Sequence, residues 1–472
     1  MIKRRIKHFS IIFFTYVIIA IAFFFIGGEQ IQYSIIESNI QPVKGMFPEL
    51  SSGNFIEQSF YSSSDTLNSL SFMAGTYSRE NTGTLELSLL DADTQQIVTS
   101  LSIPANELMD HEMFTWEFNE ELENVEHKQF IFRIESTCPE GQAPSICYSD
   151  LEAGVTPAWI NHEQKDVQFT FQFKGKLYSW FGQNYWVLAG TMAALLLAYM
   201  IVALYRELEG KNTFPVYIEG LWKRYGFLIR QLVVRDFKLK YKRSVLGYFW
   251  SFLNPLLTML VQYFVFSNLF KSNIKNYPVY LLSGTILFSY FQEAVGQGLI
   301  SILANASLIT KVYMPKYIYP TTKVLSSSVN LVISIIPLLI VTIITGEKIT
   351  LAILLLPFAL LCLLLFCIGL SMLLASAMVF FQDTKYLWGI ATLIWMYGTP
   401  MFYPETIIPE QYRIVLKVNP LYHFIKFVRT ILMDGVSPEP RRYFYCLISA
   451  IAACIVGAIV FKKSQDKFVL YI

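Results

Sequence analysis

Few side chains in this 472-residue chain have the type and spacing to do chemistry, and they suit binding and movement better than bond breaking. No G-x-x-x-x-G-K-[ST] run occurs, so the chain lacks a P-loop to cradle nucleotide phosphates. No H-E-x-x-H occurs either. His111, His127 and His162 lie among many carboxylates, but no spacing or loop specifies a metal, and separate surface histidines are the simpler reading. Neither a metal nor a cofactor is therefore expected in this chain. Glu293 is the clearest acid inside an apolar stretch, where a carboxylate faces protein or a water-filled cavity. The strongest pattern is RDFKLKYKRSVLGYFWSFLNP, from Arg235 to Pro255. The cations Arg235, Lys238, Lys240, Lys242 and Arg243, with Asp236 among them, give way at once to an apolar, aromatic run ending at Phe270. Cations are costly at the centre of a bilayer and apolar residues favourable there, so the switch near Ser244 marks a membrane boundary with its basic side in the cytoplasm.

Composition says what must position these residues. The chain is 54% hydrophobic and 16% aromatic but only 15% charged. A soluble domain carries about 25% charge, so this is a polytopic membrane protein with a polar portion attached. A net charge of +2 hides a strong asymmetry. Residues 29–184 hold 23 acidic and 7 basic side chains, and residues 206–244 hold 4 acidic and 10 basic. The first stretch reads as a solvated domain and the second as a cytoplasmic face.

Lys3, Arg4, Arg5 and Lys7 precede an uncharged apolar run from Phe9 to Ile26. That run is too long for a signal-peptide core and no A-x-A site follows, so it reads as a transmembrane helix (domain 1–27) with its N-terminus inside. Residues 28–184 alternate with period two, as in TLELSLL (Thr84–Leu90), QFIFRI (Gln129–Ile134) and VQFTFQF (Val167–Phe173). Many short strands at such spacing predict an all-β jelly-roll-like sandwich, placed outside the cell membrane. Cys138 and Cys147 lie close together within it, around Pro139, Gly141 and Pro144. In an extracytoplasmic domain they are disulfide candidates; otherwise they are two free thiols in a loop. Tyr185–Tyr205 is a second span, followed by a linker to Pro215 (residues 185–215). Six apolar segments follow, near 245–270, 278–303, 318–344, 351–381, 386–403 and 443–461, giving about eight transmembrane helices. Even parity returns the C-terminus to the inside, with Lys462, Lys463 and Lys467.

Three constellations stand out in the second half. From Val216 to Arg243, Ile218, Leu221, Tyr225, Leu228 and Leu232 recur at helical spacing opposite Arg235, Lys238 and Lys242, which predicts an amphipathic helix on the inner leaflet. NASLITKVYMPKYIYP, Asn305 to Pro320, is polar at Asn305, Ser307, Lys311 and Lys316 and delimited by Pro315 and Pro320. It suits a short helix that docks on a soluble partner, or an ordinary loop. Gly398 to Gly435 contains Pro400, Pro404, Pro409 and Pro420 and no apolar piece long enough to span, which predicts a re-entrant or interfacial segment.

These residues carry a resemblance. RDFKLKYKRSVLGYFWSFLNPLL, NASLITKVYMPKYIYP, GTPMFYPETIIP and VNPLYHFIKFVRTILMDG stand in an order and spacing similar to an ABC-2 type permease of the polysaccharide export family, over residues 216–472. That family exports O-antigen, capsule or teichoic acid chains. The resemblance implies an interface helix at 217–243 (Arg235, Asp236, Lys238, Lys242, Arg243). It implies an ATPase-coupling helix near 305–316 (Asn305, Ser307, Leu308, Lys311, Pro315, Lys316) and gate helices within 404–435. It further implies a homodimer with two copies of a separate ATPase, which carries the ATP and Mg, and a lipid-linked polysaccharide as substrate. Nucleic acid is not an expected partner. Candidate channel and gate residues are Phe249, Trp250, Tyr263, Tyr290, Glu293, Trp395, Tyr397, Pro400, Tyr403, Pro404, Asn419 and Pro420, the aromatics among them able to stack on sugar rings or simply to sit at membrane interfaces. The first half has no counterpart in this pattern. An exporter of a lipid or drug, and a membrane-anchored glycan-sensing protein, remain as alternatives.

Overall fold

The computed structural model describes residues 2–38, 40, 42–151, 155–211, 213–242, 244–270, 274–311 and 314–471. Arg243, one of the expected interface-helix residues, lies outside them. Two compact units emerge: Gln32–Tyr185, and a helical unit formed by Met1–Ile31 with Trp186–Ile472.

The first unit is all β. Its six-stranded sheet runs, in spatial order, Glu163–Lys165, Ala158–Ile160, Phe55–Tyr61, Gln129–Ser136, Thr84–Asp91 and Ile97–Pro104, every neighbour antiparallel. The seven-stranded sheet is built on Tyr33–Glu37, Phe171–Tyr178, Thr66–Gly75, Ser145–Asp150 and Val167–Phe169. Period-two alternation puts Ile56, Phe60, Phe132, Ile134, Leu85 and Leu87 on one face, and these pack with Leu70, Phe72, Trp116, Phe169 and Phe173 into one buried core. The expected jelly-roll-like sandwich is thus present. The predicted strand Val167–Phe173 is broken at Thr170, whose N–H donates to the Cys147 carbonyl (2.9 Å) while its own carbonyl accepts from Met73 N (3.0 Å). There the chain changes partner from Ser145–Asp150 to Thr66–Gly75.

The expected Cys138–Cys147 disulfide is corrected: both are buried free thiols with separate surroundings. Cys138 packs with Ala105 and Ala143, its Sγ 3.8 Å from the Thr84 carbonyl. Cys147 lies on a strand with its Sγ 3.9 Å from His111 Nδ1, and burial, aided by the Asp110 charge, pushes its thiol up to about 11. Closeness in sequence did not bring them together, because the intervening loop turns one residue toward the six-stranded sheet and the next strand carries the other into the seven-stranded one.

The helical unit consists of α1 (Ile2–Gly27), α2 (Tyr185–Leu208), α3 (Phe214–Lys240), α4 (Phe249–Phe270), α5 (Tyr277–Leu299), α6 (Ile318–Ile344), α7 (Leu356–Phe380), α8 (Thr384–Tyr397), α9 (Pro420–Arg429) and α10 (Pro440–Ser464), with shorter turns between them. Among the described residues, six helices are long and apolar enough to cross a membrane: α1, α2, α4, α6, the Leu351–Phe380 stretch and the one beginning at Pro440. The other two expected spans differ for distinct reasons. The α5 helix has 23 residues but is rich in Ser, Thr, Tyr and Gln, and neighbouring helices bury most of it. With 14 residues, α8 is about 21 Å long, short of the roughly 30 Å hydrocarbon core. It stops at Gly398, where the expected span to Tyr403 gives way to irregular chain.

Small residues let the bundle close. A Cβ on Gly457 would lie 2.0 Å from the Gly369 carbonyl oxygen, so α7 and α10 touch backbone to backbone. A Cβ on Gly298 would meet the Ser371 side chain at 2.4 Å, so this glycine makes room for α7 against α5.

Candidate functional site: a polar cavity, a basic groove and a re-entrant clamp

Pro215 starts α3 in its first turn, where a missing N–H costs nothing, and no side chain caps it. Of the expected apolar positions, Leu232 is buried and Leu221, Tyr225 and Leu228 are half-buried, while the Ile218 side chain lies outside the described ones; Trp222 and Phe227 are exposed beside Arg224 and Arg230. A helix polar and aromatic on its open side fits an interfacial position. Asp236 fixes α3 to the bundle by pairing with Lys323 of α6 (2.8 Å), and it also accepts from its neighbour Arg235 (2.9 Å). Arg235, Lys238 and Lys242, with Gln231, Tyr241 and Tyr248, line a cavity of about 560 Å³. The rings of Phe237 and Tyr248 stack at 5.0 Å and hold its wall.

A second cavity, about 290 Å³, lies between α4, α5, α6 and the end of α3. Glu293 is its electrostatic centre. It accepts from Lys240 Nζ (2.6 Å), Ser327 Oγ (3.1 Å) and Asn330 Nδ2 (3.1 Å). Asn330 Oδ1 in turn accepts from the hydroxyls of Tyr241 (3.0 Å) and Ser251 (3.1 Å). Lys240 and Tyr241 come from the end of α3, so this network ties the amphipathic helix to three helices of the bundle. Trp250 and Tyr290 line the same cavity. Tyr290 is buried and its hydroxyl has no partner among the described residues.

The remaining candidates divide. Phe249 and Tyr397 are exposed on the bundle surface. Tyr263 packs against the bundle core beside Tyr277 (6.1 Å). Trp395 is half-buried, lies edge-on to Phe291 (5.1 Å) and donates its Nε1–H to Asn419 Oδ1 (2.7 Å). Asn419 caps α9 by accepting from Leu421 N and donates to Thr399 Oγ1 (2.8 Å), with Pro420 at the first helical position. Pro400, Tyr403 and Pro404 belong to the turn that this cap secures.

Sequence reasoning passed over the residue that organises the turn. Arg429 is 4% exposed. Its Nη1 donates to the Pro400 carbonyl (2.8 Å), and its Nη2 to those of Tyr280 (3.0 Å) and Met401 (3.3 Å). Its guanidinium lies 3.3 Å from the Tyr280 ring centroid, and the Tyr280 hydroxyl donates to the Pro400 and Tyr403 carbonyls (2.9 and 2.7 Å). One cation thereby satisfies backbone oxygens that an irregular segment would otherwise leave bare. The signal available was an arginine flanked by apolar residues, Phe427-Val428 before it and Ile431-Leu432-Met433 shortly after. Beside it, Glu405 accepts from Lys426 (2.7 Å) and Tyr422 (2.9 Å) at the rim of a third cavity of about 300 Å³.

Within the expected coupling segment, 305–316, the described residues form one turn, Ala306–Ile309, preceded by Asn305, whose Nδ2 donates to the Ser301 carbonyl (2.8 Å); Val312 and Tyr313 lie outside the described residues. Leu308 and Met314 pack into a small core with Ile302, Phe461 and Phe468. Pro315 is half-buried; Ser307 and Lys311 are exposed. Lys316 is engaged within the chain, donating to the Gln465 carbonyl (2.5 Å) with its ammonium 5.9 Å from the Phe468 ring. Among the described residues, no three His, Cys, Asp or Glu side chains converge as a metal site.

Six helices of membrane-spanning length, an irregular proline-rich segment, internal polar cavities and an amphipathic helix are an arrangement suited to a membrane transport subunit. Residues 228–433 match the family model of the ABC-2 type transporter. The chain is 30% identical over 250 residues to the O-antigen export system permease protein RfbA of Klebsiella pneumoniae, covering 52% of this chain and 95% of that protein. It is 29% identical over 253 residues to the protein of the same name from Myxococcus xanthus, covering 53% and 97%. Against the polysialic acid transport protein KpsM of Escherichia coli it is 26% identical over 255 residues, covering 52% and 97%. The chain belongs to the ABC-2 type transporter family, and nearly half of it lies outside these alignments.

Proposed function

We propose that this chain is the membrane subunit of an ABC exporter that moves a lipid-linked polysaccharide outward across the cytoplasmic membrane. It works as a homodimer with two copies of a separate ATPase, which bind and hydrolyse ATP with Mg; this chain contributes no bond-breaking step. Relatives named for O-antigen export and polysialic acid transport support the substrate class. The observation that carries the reading is the groove of Arg235, Lys238 and Lys242 edged by Tyr241 and Tyr248. Cations beside aromatic rings suit a phosphate-bearing lipid carrier with sugars attached. The groove adjoins Lys240 and Glu293, so a carrier seated there bears on the network that joins α3 to the bundle.

In this reading both termini are cytoplasmic, residues 28–184 form an extracytoplasmic domain able to meet the emerging glycan, and the 305–316 segment docks in the ATPase. Replacing Lys238 and Lys242 together by alanine should lower polymer at the cell surface about fivefold or more, as lipid-linked precursor accumulates inside. Export at the wild-type level would remove the groove from the substrate path. Protease added to intact spheroplasts should cut within residues 28–184 and spare the 305–316 segment. The reverse pattern would invert the topology.

A further inference from the structure

The helices α1 and α2 add to the family's pattern, and α1 grips the permease at both of its ends. At its first turns, Arg5 Nε is 3.1 Å from Glu207 Oε2 of α2, and Arg5 Nη1 is 2.8 Å from Glu219 Oε2 of α3. The side chain of Arg5 is only 14% exposed, and those of Glu207 and Glu219 are 18% and 30% exposed. Glu207 also accepts from Thr213 Oγ1 (2.6 Å), the residue that precedes α3. Lys223 pairs with the other oxygen of Glu219 (2.7 Å), and this hydrogen bond, with the Arg5 charge, holds the Glu219 carboxyl below the usual carboxylate range. Near its far end, Phe23 meets Tyr443 of α10 edge-on at 5.1 Å, and Tyr443 meets Phe427 of α9 at 4.7 Å.

An isolated surface ion pair contributes little, because water solvates both partners nearly as well. This arrangement is different. One guanidinium joins three elements through two partly shielded carboxylates, and its planar fork spans them in a way a single ammonium does not. Between these anchors, Phe9 and Phe13 pack on Met200 and Ala203, and the Tyr16 hydroxyl donates to the Ala189 carbonyl (2.9 Å), so α1 and α2 act as one pair. The chain leaves α1 for the β domain and returns from it into α2.

We propose that Arg5 is a positioning residue that locks the α1–α2 pair onto α3, so that the pair, and the β domain in continuity with it, governs transport through the amphipathic helix. The inference rests on α3 serving as the interface helix beside an ATPase. It assigns the extra half of this chain a regulatory attachment and not merely a tethered outer domain.

The test uses the full chain purified with its ATPase and reconstituted in lipid. Arg5→Ala should lower the maximal ATP turnover by on the order of fivefold to tenfold, with KM for ATP and the amount of copurified ATPase unchanged. Arg5→Lys should fall between. In Arg5→Cys/Glu219→Cys, a short thiol cross-linker should restore turnover, while the same reagent leaves the wild type unaffected. Wild-type turnover in Arg5→Ala would overturn the proposal. So would a loss that tracks lost ATPase or that the cross-link does not recover, since Arg5 would then serve folding alone. If the wild-type chain itself retains no ATPase, the exporter reading fails first, and this inference with it.

Discussion

Replacing Arg429 by alanine is expected to destabilise the helical unit by about 3 kcal/mol and to collapse export. The magnitude follows from what is left behind. The Met401 carbonyl loses its Arg429 donor, while Pro400 keeps the Tyr280 hydroxyl and Tyr280 keeps Ser283. An unsatisfied buried acceptor costs about 1–3 kcal/mol, and the space vacated against the Tyr280 ring adds about as much. Lysine at 429 should recover only part of this, because one ammonium cannot face three carbonyls in a fork. Thermal unfolding of the purified protein in detergent, followed by the signal of the helical unit, reads the effect. A melting temperature within a degree of wild type would mean that the Pro400–Tyr403 turn holds without the clamp.

Reversing the charge at Lys311 is expected to weaken capture of the ATPase at least about tenfold, whereas Lys316→Ala should act on stability instead. The two lysines lie five residues apart in one polar segment, and sequence gives no reason to separate them. The structure does: Lys311 is exposed next to Ser307, while Lys316 is bound to the Gln465 carbonyl and lies over Phe468. Copurification from solubilised membranes distinguishes them. Equal loss of ATPase in Lys311→Glu and Lys316→Ala, at unchanged melting temperature, would show that both lysines dock. No loss in Lys311→Glu would remove this face from the interface.

Much of the architecture is legible in the sequence. Apolar length against bilayer thickness marks α1, α2, α4, α6, α7 with the turn before it, and α10, because each of these satisfies its own backbone and must be apolar where it meets lipid. Period-two alternation marks the strands, because one face of each sheet is buried. The α5 helix fits this logic less well: a buried helix is not obliged to be apolar all round, and its Thr285, Tyr277 and Tyr280 hydroxyls find partners in α4 and in the Pro400–Tyr403 turn. The α8 helix fails for another reason. Its apolar run continues past the point where Gly398 and Pro400 end the helix, so hydropathy alone overstates its length.

The functional residues were less legible than the elements that carry them. Glu293 stood out as a charge in an apolar run, yet its partners Lys240, Ser327 and Asn330 come from segments 34 to 53 residues away. Cys138 and Cys147 show the converse, near neighbours that the sandwich turns toward different surroundings. Trp395 and Asn419, both candidate channel residues, are joined by a hydrogen bond that nothing in their separate motifs announces.

What the sequence determined by itself is local: which segments are apolar enough to lie in a bilayer, which alternate, where cations halt a span, and which family motifs stand in register. These depend on the transfer free energy of each residue and on the period of its own element. Tertiary structure alone decided which polar groups share a cavity, that Arg429 ties the re-entrant turn to α5, and that Arg5 joins α1 to α2 and α3. Those contacts depend on helices distant in sequence meeting at one depth. A buried polar group must find its partner wherever the packing places one.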